Sequence, residues 1–359
     1  MTTTTDLLVL GGGIAGLTVA LEAARRGLEV VVIDSPRPGA ASRAAAGMLA
    51  PSVEDVPPPM RDAAFAARDF YPGFLGALRD LTGIDVPLDR GGILQLVSEA
   101  EADSVSRTAA GVAQWLDATA LVEREPAFAR HFGALLHPDD GAVDNLVLMD
   151  ALERAIAGMP AIRRISGDVI SIDADQPSAL TRTRGRYFAN RVALCSGAWA
   201  GGLAGLPRRI AVRPVRGQLL RLAQSPIRHV TYGAGGYLVP RGDTLLVGAT
   251  SEEAGFENET SLAGLATLRG IAARAIPSLA GAPIIDHWAG LRPMSLDTHP
   301  ILGADPDSPG LVYACGYSRN GILFAPWAAA QLAMVLVGDS APALEPFRVD
   351  RQSLITASV

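Results

Sequence analysis

The amino-acid sequence predicts a mixed α/β protein in which a parallel, helix-covered sheet is interleaved with a β-rich part. Three observations carry that prediction. Strand and helix signals of the parallel kind lie at both ends and in the middle of the 359-residue chain. Between them, near 85–144 and 210–292, short apolar runs alternate with turn residues. Hydrophobic residues make up 49% of the chain and charged ones 19%, below the usual quarter, so much of the length should be buried. A chain this long suits two domains or one interleaved pair.

The elements follow in order. In "DLLVLGGGIAGLTVALEAARRGLEVVVID", Leu7 to Leu10 is a short apolar run, as a central parallel strand requires. Gly11, Gly13 and Gly16 fit G-x-G-x-x-G and open a helix from Ile14 to about Arg26. Gly27 ends the helix, and Glu29 to Ile33 makes a second strand. Asp34 stands at its tip, about 20 residues past the glycines, where an acid accepts hydrogen bonds from a ribose. This is a Rossmann-like dinucleotide-binding start, and NAD and FAD both use it. "DVPPPM", around Pro57 to Pro59, reads as a loop. "DDGAVDNLVLMDALERAI" reads as a turn and a helix from about Leu146. "DVISID" and "RYFANRVALCSGAWAGGL" are two strands, the second meeting a Gly-rich turn at Ser196 and Gly197. "GGYLVPRGDTLLVGATSEEAGF" is a hairpin: a strand from Tyr237, a turn at Arg241 to Asp243, and a strand to Ala249. "GLVYACGYSRNGILFAPWAAAQLAMVLVG" is a strand, a turn around Gly316 and a buried helix starting at Pro326. That helix explains the uncharged stretch Asn320 to Gly338 better than a membrane span does.

Composition narrows the chemistry. A net charge of −6 and a pI near 5.4 give no electrostatic footprint for nucleic acid or an anionic membrane. All 31 cations are arginine. A Schiff-base lysine, a phosphate-loop lysine and a lysine beside a flavin are therefore excluded. Cys195 and Cys315 end apolar runs and read as buried free thiols. Two cysteines and five scattered histidines form no metal-ligand spacing, so no metal is expected. Met1 to Asp6 lacks the basic region of a secretory signal, which points to a cytoplasmic protein.

One residue poses a question of its own. In "DHWAGLRPMSLDTHPILG", Arg292 is set in a nearly apolar run. An arginine cannot shed its charge, so a buried one needs a carboxylate, a phosphate or several carbonyls. The anion is either an internal acid such as Asp286 or Asp297, or a ligand.

A dinucleotide fold that begins at the N-terminus and returns at the C-terminus resembles the D-amino-acid oxidase superfamily of flavoproteins. "SRAAAGMLAP" (Ser42 to Pro51), "VRPVRGQLLRL" (Val212 to Leu222), "YLVPRGDTLLVGATSEEAGF", "GLRPMSLDTHPILG" and "RNGILFAP" (Arg319 to Pro326) look like the glycine oxidase branch, flavoenzymes of thiamine-thiazole biosynthesis. The motifs run in family order over nearly the whole chain. The resemblance implies a Rossmann-like FAD-binding domain (1–84, 145–209 and 293–359) interleaved with a β-rich substrate-binding domain (85–144 and 210–292). It implies noncovalent FAD rather than NAD, held by Gly11, Gly13, Ile14, Ala15 and Gly16, with Asp34 on the adenosine ribose. Ser42 and Arg43 would contact phosphate or ribose; Ala46, Gly47 and Met48 would let backbone approach the flavin; Val169 would read adenine. Gly197 and the run Arg319, Asn320, Gly321, Ile322 and Leu323 complete the cofactor set, the last presenting N–H groups at a helix start to the flavin O2 edge. Arg292, Arg319 and Tyr237 would hold the substrate carboxylate, although Arg319 also starts a helix and has a structural reading.

The implied reaction is oxidative deamination of glycine or a small amino acid, with O2 as acceptor and no side-chain acid or base. The resemblance also implies a homo-oligomer, a tetramer. Two alternatives are a D-amino-acid dehydrogenase that passes electrons to a quinone, and a sarcosine oxidase. The latter typically uses a lysine near the flavin and a cysteine for covalent attachment, and this chain has no lysine and no cysteine near "GLRP". Three departures from the glycine oxidase pattern, Tyr317-Ser318 before "RNG", Gly235 before "GYLVP" and Ser251 after "GAT", put side-chain preference in doubt.

Overall fold

Short strands with uncharged centres, Thr5–Leu10, Val30–Asp34 and Leu311–Cys315, form part of the first sheet. A computed structural model describes residues 5–54, 58, 60–98, 100–102 and 113–356. The loop expected at Pro57 to Pro59 lies, apart from Pro58, outside the described residues, as do Met1 to Thr4. Thr5–Leu10 pairs in parallel with Val30–Asp34 on one side and Gly185–Leu194 on the other. Ile162–Ser166 and Leu311–Cys315 extend the parallel array at its two ends. Val169–Asp173, Ser178–Thr181 and Ile301–Ala304 add antiparallel strands to it. Leu7 and Val9 face one core and Leu8 and Leu10 the other, all within 1% of full burial, as a strand covered on both faces requires. Helices Ile14–Arg25, Asn145–Gly158 and Gly321–Leu336 pack on the first of these faces. The helix Met60–Thr82 joins them, an element that the sequence patterns did not signal.

The second sheet orders Ile284–Ser295, Val212–Leu222, Thr244–Gly248, Gly236–Arg241, Val230–Gly233, Ile93–Ser98, Phe132–His137 and Gln114–Leu116. All its neighbours are antiparallel except Val230–Gly233 with Ile93–Ser98. Its longest pairing runs from Val212 against Ser295 to Leu222 against Ile284. The hairpin expected from Tyr237 is Gly236–Arg241 and Thr244–Gly248. Leu262–Ala275 covers this sheet, packing Leu268 and Ile271 on Leu220, Leu238 and Val247. Near its end the strand Ile284–Ser295 bridges to the first sheet's side, Leu291 to Ala40 and Met294 to Tyr317. Arg292 therefore stands where the two sheets meet.

One boundary differs from expectation. The last long helix begins at Gly321, not at Pro326, which sits inside it. Proline has no N–H to give the carbonyl four residues back, here Ile322. The hydroxyl of Tyr71, itself fully buried, donates to that Ile322 carbonyl instead. The Thr18 hydroxyl similarly reaches the Ala325 carbonyl at 3.3 Å. The carbonyl that the proline frees is thus satisfied from a neighbouring helix, and the helix continues through the proline. Among the described residues no helix is long and apolar enough to cross a membrane.

A substitution isolates this repair. Tyr71→Phe leaves a buried carbonyl without a donor and should lower stability by about 1–3 kcal/mol. In a Pro326→Ala background, where the backbone N–H returns, the same substitution should cost clearly less. Urea unfolding of the four proteins reads the difference; equal costs in both backgrounds would show that the hydroxyl serves something else.

Candidate cofactor and substrate site

A cavity of about 820 Å³ lies between the two sheets. That is near the upper end for small-molecule and cofactor sites. At one end are the glycine turn and Asp34; at the other are Tyr237, Arg292 and Arg319.

The turn end is built by close approach. A Cβ at Gly16 would lie 1.9 Å from the Gly11 carbonyl oxygen, so only glycine lets this helix pack onto its strand. Gly16 is absent from the cavity wall; it shapes the turn rather than lining it. Gly11, Gly13, Ile14 and Ala15 do line the cavity. Asp34 accepts a hydrogen bond from the Gly12 N–H at 2.8 Å, and a Cβ at Gly12 would strike its carboxylate at 2.6 Å. The middle glycine, which the fingerprint leaves free, therefore seats the acid. Ser42 accepts from the Ile14 N–H at 3.0 Å and lines the cavity. Arg43 lines it too, but its guanidinium pairs with Asp150 at 2.9 Å and Glu153 at 3.2 Å on the neighbouring helix. Those acids compete for the contact with phosphate or ribose that the sequence implied for it.

Ala46, Gly47, Met48, Val169 and Gly197 stand along the wall, as do Arg319, Asn320, Gly321 and Ile322. Leu323 does not: its side chain turns into the helical core and is 2% exposed. The two helices that start at the cavity, after Gly13 and after Asn320, have no side-chain cap from those residues. Helix N-termini of this kind favour a negatively charged group. Together with the small residues Ala44 to Gly47, these features fit a dinucleotide cofactor.

At the opposite end, Ile284–Ser295 and Gly236–Arg241, with two strands of the second sheet between them, aim side chains into the same cavity. Arg292 pairs in register with Val215, and Tyr237 with Gly248. A Cβ at Gly217 would lie 2.4 Å from an Arg292 guanidinium nitrogen, and one at Gly248 would lie 2.3 Å from the Tyr237 ring. Two glycines thus make the seats for these two side chains. The Arg292 guanidinium donates to the Thr250 carbonyl at 3.0 Å and the Arg216 carbonyl at 3.4 Å. Among the described residues no carboxylate forms an ion pair with it. Asp297 is taken by Arg351, with contacts of 2.7 and 2.8 Å. Burial alone would raise its pKa, but Arg351 and Ser353 hold the carboxyl at about 2. Asp286 is exposed. Neither internal acid is the partner of Arg292.

The electrostatics agree with an Arg292 that no ion-paired acid answers. Burial lowers the pKa of Arg292, with Arg319 acting in the same sense and Tyr237 and Glu54 against it. Burial also opposes the charge on Arg319, but Glu54 and Tyr232 outweigh it and raise its pKa. Burial raises Tyr237, so its hydroxyl keeps its proton, with the two arginines pulling the other way. Glu54 and Tyr232 have no sequence signature and were not among the expected site residues. Nor were Arg37, Trp199 and Phe256, which stack at the cavity: Arg37 lies 5.1 Å from the Trp199 ring, and Phe256 stacks on it at 5.6 Å.

The three departures separate. Tyr317 and Ser318 line the cavity, Ser318 with φ +54. Gly235 and Ser251 do not. Gly235 occupies a turn with φ +91, where glycine is favoured, and Ser251 is exposed. Cys195 and Cys315 are buried free thiols at the cavity wall. Burial raises both pKa values, that of Cys315 to about 12, so neither is a ready nucleophile.

Two substitutions test the two ends. Asp34→Ala should weaken FAD binding about 10- to 100-fold, the range of a hydrogen bond to a charged group, in a titration of apoprotein by fluorescence. Unchanged affinity would contradict the ribose assignment. Gly217→Ala should push the Arg292 guanidinium from its seat while the fold persists. Acetate binding should weaken about tenfold or more with little change in Tm. A large fall in Tm with intact acetate binding would contradict this.

The comparisons with known proteins agree with the geometry. The family model described as FAD dependent oxidoreductase matches residues 6–334. The chain is 37% identical to the bifunctional protein ThiO/ThiG of Synechocystis over 98% of its own length and 54% of that relative's. It thus spans about half the length of the bifunctional relatives it matches. It is 34% identical to the glycine oxidase of Geobacillus kaustophilus, with 98% of each chain covered. The crystal structure of the glycine oxidase from Geobacillus kaustophilus superposes with a TM-score of 0.90, covering 98% of this chain and 100% of that one at 32% identity. The chain belongs to the FAD dependent oxidoreductase family, and FAD is its cofactor.

Proposed function

We propose that the protein oxidises glycine or a similarly small amino acid, turning glycine, O2 and water into glyoxylate, ammonia and hydrogen peroxide. The observation that carries the reading is the pair of cavity arginines, Arg292 and Arg319, beside Tyr237, with no internal carboxylate on Arg292. The glycine oxidase of Geobacillus kaustophilus, alike over 98% of both chains, supports the substrate class. The relatives named ThiO/ThiG support a place in thiamine biosynthesis, where the imine would serve thiazole formation.

In this reading the planar fork of Arg292 takes the substrate carboxylate in two hydrogen bonds. Arg319 and the protonated Tyr237 hydroxyl fix its remaining lone pairs. The carboxylate so held sets where the α-carbon and the amine lie, and orientation is the protein's main contribution. FAD, when bound, supplies the two-electron acceptor for the α-carbon hydride and the reductant for oxygen. No side-chain base is needed if the amine binds deprotonated, which suits a chain without lysine. Water hydrolyses the imino acid afterwards.

The same proposal assigns FAD binding to residues 1–84, 145–209 and 293–359, and the substrate side to 85–144 and 210–292. It takes the protein to be cytoplasmic and, on the family resemblance, a homotetramer. FAD is held noncovalently, since both cysteines are buried with raised pKa values. Acid precipitation should release all the yellow colour, and colour left on the pellet would contradict this.

Arg292→Lys is the direct test. Lysine keeps the charge and loses the fork, so kcat/KM should fall by about 30- to several-thousand-fold, the equivalent of roughly 2–5 kcal/mol. FAD content should be unchanged, and acetate should inhibit the wild type competitively and the variant hardly at all. Oxygen uptake with peroxide release should accompany wild-type turnover; turnover with a quinone and without peroxide would favour a dehydrogenase. A variant that loses stability but keeps acetate inhibition would overturn the reading.

A further inference from the structure

Glu54 faces the same cavity as Arg292, Arg319 and Tyr237. The turn that carries it is fixed from below. Ser52 donates its N–H and its hydroxyl to Asp140, each at 2.9 Å, and Arg68 pairs with the same carboxylate at 3.0 Å. Asp140 is fully buried. The N–H groups of Val53 and Glu54 both return to the Ala50 carbonyl. Glu54 is thus held in place by its backbone. Among the described residues its carboxylate forms no ion pair with either cavity arginine, so its charge acts on them across open space.

Charge balance gives that placement a meaning. Two guanidiniums in one partly desolvated cavity repel each other, and the effect is visible on Arg292. One bound carboxylate neutralises one of them and leaves a positive charge over. Glu54 cancels the remainder, and its own field favours both arginines in the charged form. A second anionic group on the ligand would then enter a site that is already neutral and would meet the Glu54 carboxylate directly. An amino group would meet no such penalty.

We propose that Glu54 sets the charge specificity of this cavity, admitting a ligand with one carboxylate and an amino group and rejecting one with a second anionic group. The proposal rests on the reading of Arg292 and Arg319 as the carboxylate site. It gives Glu54 a selective role and leaves the chemistry to the groups already described.

The test is binding, not turnover. Holoenzyme is titrated with acetate and with malonate at fixed ionic strength, by calorimetry and by the shift in flavin absorption. Removing a nearby negative charge strengthens a dianion more than a monoanion. Glu54→Gln should therefore tighten malonate about tenfold or more and acetate about threefold or less, with FAD content unchanged. Glu54→Asp keeps the charge and should keep the wild-type preference. If Glu54→Gln moves both ligands by the same factor, or neither, or if Glu54→Asp behaves like Glu54→Gln, the assignment of Glu54 is wrong. Arg292→Lys is the control, and it should abolish acetate binding. Acetate binding that survives Arg292→Lys would instead overturn the carboxylate reading, and the role of Glu54 with it.

Discussion

A guanidinium that cannot lose its proton must be answered by something, and this constraint organises the junction of the two sheets. Arg292 is buried enough that its pKa falls, yet its acceptors are two backbone carbonyls. The surrounding structure is arranged to keep it so. Gly217 vacates the space that the guanidinium fills, and Gly248 does the same for the Tyr237 ring. Asp297, the acid nearest in sequence, is bound to Arg351, with Ser353 as a further donor. Breaking a buried pair leaves an uncompensated charge, so a site already holding that charge is ready for an anion from outside.

The other end of the cavity obeys a backbone constraint. The turn after Thr5–Leu10 is so tight that Gly16 nearly touches the Gly11 carbonyl, and Asp34 is tied to it through the Gly12 N–H. The helix starts after Gly13 and Asn320, which receive no side-chain cap from those two residues, then turn toward the same space, with the Ile14 N–H held by Ser42. A cofactor with a pyrophosphate and an electron-accepting ring matches donors so placed. The meeting of the two sheets is what brings the glycine turn and the Arg292 end into one cavity.

What the sequence disclosed was local. The glycine fingerprint, the apolar strand that precedes it and the acid at the tip of the next strand are all read within about thirty residues. The helix read from about Leu146 is Asn145–Gly158, and the structure shows Asp144 capping it, its carboxylate accepting from the Leu146 and Val147 N–H groups. What it hid was long-range. The last helix runs through Pro326 because a tyrosine 251 residues away from Ile322 supplies the missing donor, and no local rule contains that. Arg43 is drawn to Asp150 and Glu153, partners brought to it by folding. Gly235 occupies a positive-φ turn and Ser251 is exposed, so neither stands at the cavity, which the sequence pattern alone did not show. Glu54 belongs to no motif at all; only the cavity shows that its charge faces two arginines.

The central claim is that one end of this cavity fixes a single carboxylate so that the adjoining carbon can reduce FAD. An anaerobic panel of amino acids, scored by loss of flavin absorption near ~450 nm, tests it most directly. The account predicts bleaching by glycine or another small amino acid, none by acetate, and little by aspartate. Bleaching by no amino acid, or equally by amines that lack a carboxylate, would contradict it.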